Sequence, residues 1–121
     1  MNKKVLLSFT LAVFIFSSCY YDVEEELYPN TCNTSGVTFS GTVNPLLNTY
    51  GCVGCHSGSA PSGNTSLLGH TNVKAKVTDG KLWGVINHHP GFPPMPQGGA
   101  KMAACDINKI KAWIDAGAPN N

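Results

Sequence analysis

The densest chemistry in this chain of 121 residues lies in one hexapeptide, Gly51-Cys52-Val53-Gly54-Cys55-His56. Two thiols stand three positions apart, and an imidazole follows the second directly. Three chemistries use such a set. A dithiol can exchange with a disulfide. A tetrahedral zinc ion can take thiolates and imidazole as ligands. Two thiols on one helical turn can each add to a vinyl group of a porphyrin, so that the next residue ligates its iron.

The flanking residues separate these uses. A dithiol redox motif needs a strand before it and a long helix after it, whereas here the loop-like stretch "SGSAPSGNTS" follows. A structural zinc site needs two further ligands at short spacing, and no second Cys-x-x-Cys occurs in the chain. The motif therefore reads as an attachment site for one haem c, with Cys52 and Cys55 forming thioethers and His56 the proximal ligand. An electron-carrying haem usually takes a second protein ligand, and methionine opposite histidine raises its potential. The stretch "GFPPMPQGG" supplies Met95 between Pro94 and Pro96. Those prolines fix φ and favour a stiff extended strip that would present the thioether with little entropy left to lose. Met95 is the first choice for distal ligand, against the plainer reading that it fills a core gap. His88 and His89 are the alternative ligands, although both also suit a helix end, where protonated imidazole meets the helix dipole favourably. Met102 lacks the proline frame, and His70 reads as a surface or capping residue.

Cysteine usage and the N-terminal composition agree with that chemistry. Residues 1–18, "MNKKVLLSFTLAVFIFSS", have a basic start, an apolar run from Val5 to Phe16 and two serines before Cys19. This is the form of an export signal, with an apolar run too short for a comfortable membrane span. Small residues directly before Cys19 resemble a bacterial lipoprotein signal, which would leave Cys19 lipidated, anchor the chain in a membrane and expose it on the periplasmic or cell-surface side. Residues 19–36 then hold the lipidated terminus and an acidic tether, and residues 37–121 the folded domain. Of the five cysteines, assigning Cys19 to lipid and Cys52 with Cys55 to haem leaves Cys32 and Cys105 as one disulfide. Export places that pair where disulfides persist. Without Lys3 and Lys4 the chain has six Lys, no Arg and seven acidic residues. That balance offers no basic patch for a nucleic acid.

The elements that must position these residues read as short helices. Asn44 is expected to cap one, with Pro45 in its first position and Gly51 ending it. Thr71 is expected to cap a second through Val77, and Asp79 a third in which Leu82, Val85 and Ile86 follow the i, i+3, i+4 pattern. Trp83 is read as a core or haem-edge aromatic. The clearest element runs from Asp106 to Ala116, where Ile107, Ile110 and Ile114 form a stripe with Trp113 beside it, and Gly117 and Pro119 stop the helix. No alternating strand pattern competes. The fold class is all-α, short helices and loops wrapped around one covalently bound haem.

Taken in order, "GCVGCH", "FPPMP" and "KIKAWIDAGAP" resemble a class I cytochrome c domain, similar to small bacterial monohaem members, over about Val37 to Pro119. The resemblance implies Cys52 and Cys55 as thioether points, His56 and Met95 as iron ligands, and Trp113 as the usual aromatic of the final helix packed against the first. The first helix, around Asn44 to Asn48, departs from the family's glycine and aromatic pattern. The function implied is electron carriage between redox protein donors and acceptors of the cell envelope, by a chain that is not itself an enzyme. A haem-based ligand-binding module with a labile distal ligand, and a haem-free structural lipoprotein with a Cys52–Cys55 disulfide, are the alternatives.

Overall fold

The computed structural model describes residues 32–121. Every regular element among these residues is helical, as expected of an all-α chain, and none is long and apolar enough to cross a membrane. The expected signal segment, the lipidated Cys19 and the acidic run at residues 24–26 lie outside the described residues.

The first helical stretch starts earlier than the sequence suggests. The Thr38 hydroxyl accepts a hydrogen bond from the amide of Gly41 at 3.0 Å, capping a π-helical turn over Phe39–Val43. That turn runs directly into α1, Asn44–Thr49. Asn44 is therefore already helical (φ −61°, ψ −44°) and does not cap; Thr38 takes that role six positions upstream. Pro45 does fall in the first turn of α1, where its missing N–H is tolerated. Gly51, at φ +71°, occupies the left-handed region that glycine enters at little cost. It ends α1 as expected and redirects the chain into the single turn of α2, Cys52–Cys55.

The remaining helices shift by a residue or two from their expected bounds. α3 spans His70–Thr78 and follows Gly69 without a side-chain cap, so Thr71 lies inside it rather than at its start. α4 spans Lys81–Ile86 behind Gly80. Asp79 still serves it, because its Oδ1 accepts the amide of Lys81 at 3.0 Å from one position further upstream. α5 spans Ala104–Asp115, beginning two residues before Asp106. Its start is held from across the fold. The Tyr50 hydroxyl accepts the amide of Ala103 at 3.1 Å and donates to Asp106 at 2.9 Å. A cap supplied 53 residues away leaves no local signature.

Burial follows the apolar stripes. Phe39, Val43 and Leu47 from the first helical stretch meet Ile107, Ile110 and Trp113 of α5, and Val73, Leu82, Ile86, Leu67, Met102 and Ala118 complete the core. Each fully buried aliphatic or aromatic side chain contributes about 1.5–3 kcal/mol. The π-helical turn ahead of α1 meets the last helix, with the Phe39 and Trp113 rings 5.6 Å apart. His70 stands edge-on to both rings, at 5.0 and 6.0 Å. Its Nε2 bonds to the Ala118 carbonyl at 2.9 Å. It is thus a packed partner of the core, and the surface-or-cap expectation for it is corrected. The Trp113 indole donates to the Pro119 carbonyl at 2.9 Å, so its polar atom is satisfied within the core. Trp83 is half-buried and packs against the core at its edge, with the Lys111 ammonium 5.6 Å from its ring centre.

Candidate functional site

α2 brings the two thiols together. Residues three apart share one face of a helical turn, and Cys52 and Cys55 sit at the two ends of this one, both unpaired. Cys52 is half-buried and Cys55 exposed. Burial pushes the Cys52 thiol up, the nearby Cys55 adds to the rise, and a backbone hydrogen bond opposes it only in part. The thiol therefore stays protonated at neutral pH, whereas the nucleophile of an exchanging dithiol needs a depressed value. Cys32 and Cys105, by contrast, form a disulfide with their Cα atoms 5.4 Å apart. It joins the start of the described chain to the first turn of α5.

His56 closes α2, its amide bonded to the Cys52 carbonyl at 2.9 Å. Its ring is held by the loop that follows. Nδ1 lies 3.1 Å from the Ser62 carbonyl and 3.0 Å from the Thr65 carbonyl. Carbonyl oxygens only accept, so Nδ1 carries a hydrogen, and in the neutral ring the lone pair is then on Nε2. Two left-handed residues, Gly63 and Asn64 (φ +60° and +50°), lie between those carbonyls. A second strut, from the Leu67 amide to the His56 carbonyl at 2.7 Å, fixes the far end of the loop. Ser62 and Thr65 act through their backbones, so their types carry no signal of this role. The Gly63-Asn64 pair was the legible trace, as a turn dipeptide.

Met95 belongs to a different part of the fold. It is half-buried, and its amide donates to the Val85 carbonyl near the end of α4 at 3.0 Å. His88 and His89 lie just past that same helix end, where the sequence places them. Nε2 of His88 bonds to the Met95 carbonyl at 3.0 Å. Phe92 lies across the helix, on the open face of Gly84. Met102 is buried in the core. Among the described residues no hydrogen bond joins the Met95 strip to the Cys-x-x-Cys-His turn. No group of three or more His, Cys, Asp or Glu side chains converges among them as a metal-ligand set either. A hollow of about 360 Å³ between residues 33–37, α1 and Lys109 has none of the candidate residues in its lining.

The donor set fits a haem c in its chemistry. Two unpaired thiols share one helical turn, and the adjacent imidazole has its Nδ1 hydrogen committed to backbone carbonyls, which in the neutral ring leaves Nε2 as the nitrogen that can ligate a metal. Apolar side chains accompany the motif: Val53 is half-buried, and Leu68, one residue past the strut on His56, is 61% exposed. An exposed leucine in that place offers surface for an apolar ring to cover.

Fold and site together define a small all-α chain built around a Cys-x-x-Cys-His turn. Comparison with protein-family models, characterised proteins and solved structures finds no match.

Proposed function

We propose that the chain is a monohaem c-type cytochrome with a class I-like fold, lipid-anchored through Cys19 in the cell envelope, that carries single electrons between redox proteins. Cys52 and Cys55 hold the haem as thioethers, His56 is the proximal ligand and Met95 the distal one. The observation that carries this reading is the state of His56, with Nδ1–H committed to two backbone carbonyls one residue beyond a pair of unpaired thiols. The haem, when bound, supplies a one-electron iron couple. The chain's own residues do the rest. The Ser62 and Thr65 carbonyls hold the His56 ring in one tautomer and orientation, and the bond from the Met95 amide to Val85 limits how far the distal strip can shift. Electron carriers gain from such rigidity because little rearrangement accompanies each transfer.

Absorption spectra of the purified protein in both oxidation states test the reading. A low-spin His/Met signature in both states, abolished by Met95→Ala, is expected. A five-coordinate reduced iron that takes up carbon monoxide readily would instead make the chain a ligand-binding module. An unchanged Met95→Ala spectrum would move the distal role to His88, His89 or Met102.

A further inference from the structure

We propose that His88 is a positioning residue for Met95, clamping the peptide that carries the thioether; this rests on the cytochrome reading above. Between Phe92 and Gln97 the chain reads Pro93-Pro94-Met95-Pro96, so Met95 has the one backbone N–H in that strip. That N–H is bonded to Val85, and the carbonyl of the same residue is bonded to His88 Nε2, both at 3.0 Å. The Met95 residue is thus held on each side, and both holds come from the C-terminal end of α4. The backbone at His88 supports the same assignment. α4 ends at Ile86 with Asn87 as its cap, so His88 occupies the next position, where helices favour a left-handed glycine. His88 is there at φ +56°. A bulky side chain in that region is strained, and a residue kept in such a conformation points to a role for its side chain. The imidazole reaches seven residues along the chain to the one carbonyl that belongs to the distal ligand. Because a carbonyl only accepts, Nε2 must carry the hydrogen.

The test is displacement of Met95 from the ferric iron by added imidazole, followed by absorbance, in the wild type and in His88→Asn and His88→Gln. Asparagine tolerates the left-handed backbone but is too short to replace Nε2, whereas glutamine places an amide donor near that position. His88→Asn is expected to bind imidazole about 3- to 10-fold more tightly than wild type, the equivalent of one lost neutral hydrogen bond. His88→Gln is expected to stay within about twofold of wild type on the same basis. A haem-bearing His88→Asn protein with wild-type imidazole affinity, alongside a Met95→Ala protein that has lost its His/Met spectrum, would overturn the clamp and leave the cytochrome reading intact. A wild-type protein without haem would overturn both. If the variants do not mature, nitrogen NMR of wild-type His88 decides: hydrogen on Nε2 supports the clamp, and hydrogen on Nδ1 with Nε2 bare refutes it.

Discussion

Gly84 is buried on α4, and the ring of Phe92 lies directly over it. A Cβ at position 84 would stand 2.5 Å from Phe92 Cγ and 2.6 Å from both Cδ atoms. Contacts that close are not tolerated, and Cγ is the root of the ring rather than its movable end, so Gly84→Ala must displace Phe92 and the loop that leads to Met95. Overpacking of this kind costs about 1–3 kcal/mol. Alanine in a helix interior returns about 1 kcal/mol over glycine. The net expectation is a loss of about 0–2 kcal/mol, small because the two effects oppose. The informative quantity is the double-mutant cycle. In a Phe92→Ala background the obstruction is gone, and Gly84→Ala should now stabilise by up to about 1 kcal/mol. Urea unfolding of the four proteins, followed by far-UV circular dichroism, measures both numbers. A coupling of about 1–3 kcal/mol between the sites is expected. If alanine at 84 stabilises equally in both backgrounds, Phe92 does not rest on Gly84 and the placement of the Met95 loop is refuted.

Replacing Cys32 and Cys105 with alanine opens a covalent loop with a sequence separation of 73 residues, and chain entropy predicts a loss of about 4 kcal/mol in urea unfolding; an unchanged midpoint would mean that the link adds nothing. Asp79 is shifted down: desolvation pushes its pKa up, but the Lys81 amide and the Lys76 ammonium together outweigh it. Its contribution is present above the ordinary aspartate range and lost as pH falls through the lowered value. Asp79→Ala should therefore cost about 0.5–1 kcal/mol at neutral pH, as the loss of an exposed cap, with the difference from wild type beginning to shrink below about pH 4 and gone only once the pH lies below the lowered value. A difference that persists there would assign the effect to something other than the ionised carboxylate.

The parts of this fold legible in the sequence are those set by local pattern. Of the stripe of Ile107, Ile110 and Ile114 with Trp113 beside it, Ile107, Ile110 and Trp113 are buried and Ile114 packs half-buried against the core. Gly51 breaks the chain before the motif because the turn there needs a positive φ. What escaped was set by distant partners. Asn44 looks like a cap beside Pro45, yet the Thr38 hydroxyl had already started the helix. α5 begins early because the Tyr50 hydroxyl, from the far side of the motif, accepts the Ala103 amide and donates to Asp106. His70 has no local reason to be packed; Phe39 and Trp113 make its place. At the site, thiols and imidazole were legible by type and spacing, whereas the carbonyls that hold His56 have no side-chain signature. The role of His88 was hidden for a related reason, since a histidine near a methionine reads first as a rival ligand and only the geometry connects its ring to the Met95 carbonyl.

One property separates the proposed cytochrome from every haem-free alternative: bonds from Cys52 and Cys55 to a porphyrin would be covalent and would survive denaturation. Intact mass spectrometry of the denatured protein, after export in cells with a functioning cytochrome c maturation system, measures this directly. The account predicts a polypeptide heavier by one haem, with neither Cys52 nor Cys55 open to alkylation. A polypeptide without added haem, in which both thiols alkylate or are joined to each other, would contradict it.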